Sequence, residues 1–70
     1  MEILEIREMS TEDILTELDD AREELMRLRF QITTGELTDH NRLRITRQKI
    51  ARLLTVIRER QLDEEMEGEA

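Results

Sequence analysis

Ile14, Leu18, Ala21, Leu25, Leu28 and Ile32 recur at alternating spacings of four and three residues. On a helix of about 3.6 residues per turn that spacing makes one apolar stripe, the seam of a coiled-coil-like contact. Ser10 stands where an N-cap is needed: its hydroxyl can accept from the N–H of Asp13, and the Asp13 carboxylate can reach back in a short capping box. Met9 and Ile14 fall at the two positions of a hydrophobic staple. Gly35 follows the last stripe residue at the distance of a left-handed C-cap, which glycine adopts at least cost. The pattern therefore predicts a helix over about 11–34.

A second stripe runs through Leu43, Arg47, Ile50, Leu54 and Ile57, with Leu53 beside it, and predicts a helix over about 40–61. Thr38, Asp39 and Asn41 are each competent to cap its start. The short connection favours antiparallel neighbours, with Ile32 against Leu43, Leu25 against Ile50, Ala21 against Leu54 and Leu18 against Ile57. Leu28 then meets Arg47, whose aliphatic stem can cover it. The expected fold class is all-α: an antiparallel two-helix hairpin over 1–62, coiled-coil-like, with a short N-terminal helix in the weakly patterned segment 2–9. Past Leu62 the periodicity stops, and the like charges of Asp63, Glu64, Glu65, Glu67 and Glu69 predict an acidic, disordered tail over 63–70.

Composition sharpens this picture. The chain has 70 residues, no Cys, no Pro and a single aromatic, Phe30, and 41% of it is charged, which suits solvated helices and excludes a disulfide or thiolate-zinc staple. A domain this small buries only about 60% of its unfolded surface, so a partner is expected to contribute to its stability. No apolar run approaches the roughly 20 residues that span a bilayer, and the start lacks the basic flank of a signal peptide, so no membrane contact and a cytoplasmic location are the default expectations.

The net charge of −7 is unevenly spread. Residues 1–20 hold eight acids and one base, residues 41–60 hold one acid and seven bases, and residues 61–70 hold five acids. Because exposed charges are screened beyond about 8–10 Å, a polyanion responds to a local basic strip more than to the total. The strip is Arg42, Arg44, Arg47, Lys49, Arg52, Arg58 and Arg60, rich in the forked guanidinium that fits phosphate. A bland alternative is a solvated helix neutralised by the acidic first helix.

Two apolar groups lie off the seam. Ile45 and Val56 share a side of the second helix with Lys49 and Arg52, facing away from the first helix. Leu15, Arg22, Met26, Arg29, Phe30 and Thr33 gather on one flank of the first. A two-helix hairpin has no third layer to cover them, so Phe30, Met26, Ile45 and Val56 are candidate protein contacts. For catalysis the inventory is thin. His40 is the only histidine and Ser10 the only serine, so no nucleophile and base can be paired. The paired carboxylates lie on solvated helix, and there is neither a Gly-rich phosphate loop nor a metal-ligand cluster. An enzyme, a cofactor and a small-molecule substrate are not expected.

Leu28-Arg29-Phe30-Gln31, Thr34-Gly35-Glu36-Leu37, and the run of Arg42, Arg44, Arg47, Ile50, Ala51, Arg52 and Thr55 followed by Arg58-Glu59-Arg60 stand at fixed separations. Together they resemble the family of the twenty-ninth protein of the large ribosomal subunit, from Ile6-Arg7 through Arg60. The resemblance implies two long antiparallel helices and a non-enzymatic, structural ribonucleoprotein component of translation. It would bind large-subunit rRNA near the polypeptide exit tunnel, beside ribosomal protein twenty-three, in the cytoplasm. It also implies that Arg29, Gln31, Thr34, Arg42, Arg44, Arg47 and Arg52 face RNA. The acidic first twenty residues and the acidic tail depart from relatives that are commonly basic. The rival expectation is a protein-interaction module, in which two hairpins dimerise into a four-helix bundle through Phe30, Met26, Ile45 and Val56.

Overall fold

The computed structural model describes residues 1–36 and 39–69. Three helices follow one another: α1 (Ile3–Glu8), α2 (Thr11–Thr33) and α3 (Asn41–Glu69). The two long helices pack against each other, and α1 packs on α3. No strand occurs among the described residues, and no helix is long and apolar enough to cross a membrane. The result is an elongated hairpin, 54 × 18 × 15 Å.

The local signals at the helix ends act as the sequence requires. Ser10 is the N-cap of α2, its Oγ accepting from the Asp13 N–H at 3.1 Å; among the described residues the reciprocal bond from Asp13 is not made. At the other end Gly35 takes φ +81°, and its N–H donates to the Ile32 carbonyl at 3.2 Å. Asp39 caps the entry to α3, Oδ1 accepting from the Asn41 N–H at 2.9 Å. Of the other candidate caps, Asn41 is the first residue of α3, and Thr38, like Leu37 of the turn motif, lies outside the described residues.

Two ion pairs across the contact report the antiparallel register. Glu17 meets Lys49 at 3.0 Å and Glu24 meets Arg42 at 3.4 Å, so an advance of seven residues along α2 is a retreat of seven along α3. On α2 the buried row is the expected seam: Ile14, Leu18, Ala21 and Leu28 are buried, with Leu25 and Ile32 half-buried.

On α3 the seam is turned. Leu43, Ile50 and Ile57 stay half-buried on the inner face, about one helical turn out of the expected register with α2, and between them Thr46 and Leu53 face inward instead of Arg47 and Leu54. Leu53 is buried, Leu54 is 41% exposed, and Arg47 is exposed beside the seam. The cause is α1. Ile6 is wholly buried in one cluster with Ile14, Leu18, Leu53 and Val56, with Ile3 and Met9 packed against it. This third layer draws the Val56 side of α3 inward. Val56 is therefore a core residue, 1% exposed, and not the protein contact expected of it.

Polar clamps fasten α1. The Arg60 guanidinium donates to the Thr11 hydroxyl at 2.8 Å and to the carbonyls of Met9 and Arg7 at 2.6 and 3.2 Å. It thereby satisfies carbonyls that the end of α1 leaves without helical partners. Arg52 donates to the Met1 carbonyl at 3.1 Å. Arg7 forms a forked pair with Glu59 at 2.9 and 3.3 Å, and this carboxylate holds the guanidinium above its ordinary pKa.

The acidic stretch prolongs α3, which runs to Glu69 with the side chains of 61–68 exposed. Helical hydrogen bonds are satisfied within the segment itself, and Gln61, Leu62, Glu64, Glu65 and Met66 are strong helix formers.

Candidate nucleic-acid interface

In an antiparallel pair of helices the same heptad flank of each lies on one side of the contact, so the hairpin has two unlike long sides. On the closed side run Glu17, Glu24 and Gln31 of α2 and Arg42, Lys49 and Val56 of α3, each set spaced by seven residues. Its charges are matched: Glu17 with Lys49, and Glu24 with both Arg42 and Arg27. Beyond Lys49 the same row passes beneath α1 at Val56.

The open side is different. Along it run Leu15, Arg22 and Arg29 of α2, then His40 just before α3 with Arg47 and Leu54 on it, and Arg44, Ala51 and Arg58 of α3, again spaced by seven. A groove in this side is lined by His40, Leu43, Arg44, Arg47, Gln48 and Ala51. Arg22, Arg29, Arg44, Arg47 and Arg58 are all exposed, and among the described residues none of them pairs with a carboxylate. Arg44 is steadied from within its own helix, its Nη2 and Nε donating to Asn41 Oδ1 at 2.7 and 3.3 Å. An acid, Asp19, borders this side one turn from Arg22.

The candidate RNA contacts thus divide. Arg29, Arg44 and Arg47 come together on the open side. Arg42 and Gln31 lie on the closed side, where Arg42 meets Glu24, and Arg52 is half-buried against the start of the chain. Thr34 sits at the end of α2, its hydroxyl donating to the Gln31 carbonyl at 3.2 Å. Arg22 and Arg58 complete the open side; the sequence placed Arg58 in the basic strip and Arg22 on a flank of the first helix without counting either as an RNA contact, although the seven-residue steps from Arg22 to Arg29 and from Arg44 through Ala51 to Arg58 signal them. The candidate protein contacts also separate: Met26 and Phe30 are 74% and 66% exposed on the outer flank of α2, Ile45 is 52% exposed on the back of α3, and Val56 is buried.

An open row of arginines along a helical hairpin presents forked guanidiniums of the kind that fit phosphate. Comparison with known proteins agrees. Residues 4–60 match the family described as Ribosomal L29 protein. The chain is 53% identical over 58 residues to a protein of Corynebacterium glutamicum named large ribosomal subunit protein uL29, covering 83% of this chain and 76% of that one. Proteins of the same name from Mycolicibacterium vanbaalenii and Corynebacterium diphtheriae are 52% and 53% identical over the same length, each at 83% of this chain and at 75% and 76% of theirs. The chain belongs to the ribosomal L29 protein family, whose members are structural proteins and not enzymes.

Proposed function

We infer that this chain is a structural constituent of the large ribosomal subunit, in the cytoplasm, and that it binds large-subunit rRNA near the polypeptide exit tunnel through the open side of its hairpin. The family supports the first part, and the observation that carries the second is the separation of charges. One side neutralises its cations internally, while the other keeps Arg22, Arg29, Arg44, Arg47 and Arg58 without acid partners among the described residues. Forked guanidiniums reading backbone and shape suit folded RNA, whose deep major groove hides base edges from side chains. Gln31 and Thr34 border the turn and would add hydrogen bonds there; Arg42 and Arg52 would reach phosphate only from the closed side. We also take ribosomal protein twenty-three as the neighbouring protein at the tunnel exit, in keeping with the family.

Replacing Arg29, Arg44 and Arg47 together with Glu tests the reading. Loss of rRNA binding is expected, with a shallower dependence of log affinity on log salt, because each phosphate contact contributes about 0.7–0.9 to that slope. The control reverses Arg42 and Lys49 on the closed side, with a much smaller loss. Equal losses from the two sides would defeat the assignment. The dimeric four-helix bundle is disfavoured, since Val56, one of its four anchors, is buried and Ile45 lies on a different helix face from Met26 and Phe30.

A further inference from the structure

We propose that Phe30, on the outer flank of α2 next to Arg29, is a stacking platform for an unpaired base of the bound RNA, so that the hairpin reads a splayed nucleotide as well as backbone charge. This deepens the rRNA reading above and rests on it. Phe30 is the chain's only aromatic residue, yet it is 66% exposed. Among the described residues no element covers it: α1 packs over Leu53 and Val56, at the end of the hairpin far from the turn. One helical turn before it, Met26 is 74% exposed, so the two form a small apolar spot on the outer flank of α2, round the helix from the open-side Arg29.

The surroundings of the spot decide what covers it. Arg29, next in the chain, is exposed and without an acid partner among the described residues. The hydroxyls of Thr33 and Thr34, one turn on, already donate to the Arg29 and Gln31 carbonyls at 2.9 and 3.2 Å. What remains to a partner is a flat ring, a thioether and a free guanidinium. Two apolar side chains fall far short of the roughly 800 Å² per partner that a stable protein interface buries. A single aromatic beside an arginine is enough for a nucleotide, with the ring taking the base and the cation its phosphate.

The chain holds neither Trp nor Tyr, so Phe30→Trp introduces a unique fluorophore at the proposed contact. Titrated with deproteinised large-subunit rRNA, its emission is expected to be quenched, and to stay unchanged with blunt-ended duplex RNA of equal phosphate content. Phe30→Leu keeps apolar bulk but loses the flat face. It is expected to lower rRNA affinity about tenfold while leaving the salt slope unaltered and helicity by circular dichroism intact. Unquenched Trp emission at saturating rRNA, or unaltered affinity of Phe30→Leu, would overturn the proposal and assign Met26 and Phe30 to a protein neighbour. Failure of the unaltered chain to bind rRNA would overturn the rRNA reading itself, and this inference with it.

Discussion

Ile6 has no exposed surface although it sits on a helix of six residues. So short a helix is unstable alone, and Glu2 gives it no side-chain cap, so its order comes from what Ile6 touches. Ile6→Ala should cost about 2–5 kcal/mol, a large share of the roughly 4–10 kcal/mol that a chain of this size has, and thermal melting followed by circular dichroism should show it. Gly35→Ala isolates a different effect. A Cβ there meets nothing within 4 Å, so the loss comes from φ +81° alone and should be about 1–2 kcal/mol, less for Asn. Both caps of α2 were legible in single residues, Ser10 and Gly35, because a cap depends on backbone atoms three or four positions away. The burial of Val56 was not legible, because its cover comes from residues some fifty positions distant.

At the scale of elements, α1 is joined to α3 by Ile6 and by the arginine clamps. The fork of Arg60 reaches three oxygens, and a lysine at that position would keep the charge but lose the geometry. Arg60→Lys is therefore expected to speed amide exchange in Ile6 and Met9 while leaving Leu25 and Leu28 protected. Uniform loss of protection would mean that α1 and the hairpin open as one unit. The C-terminal part of α3 behaves differently. Past Arg60 it has no packing partner among the described residues, and its carboxylates oppose the negative end of the helix dipole. Amides of 62–68 should exchange fastest within α3. The seam of α2 was read correctly because one row alone was apolar. On α3, Leu53 and Leu54 stand side by side, as do Val56 and Ile57, and a spacing rule cannot choose between adjacent rows.

Over the whole molecule the charge is polar from end to end. Residues 22–50, the turn half, hold seven bases and four acids, while residues 1–21 with 51–70 hold four bases and fourteen acids. A polyanion is drawn to the turn half and repelled from the far end, so raising salt should weaken RNA binding less steeply than the total of basic residues implies. The isolated chain is expected to sediment as a monomer at micromolar concentration, because α1 closes the core within one copy. A tight dimer would restore the bundle reading.

The sequence by itself determined the helices, their antiparallel pairing, the capping of α2 and the family, since each is carried by local spacing or by blocks at fixed separations. Tertiary structure decided which row of α3 is buried, that the first nine residues supply a third layer, and how the arginines divide into a matched side and an open one. A period fixes a stripe only relative to its own helix axis. Which way that axis is turned depends on everything packed against it at once.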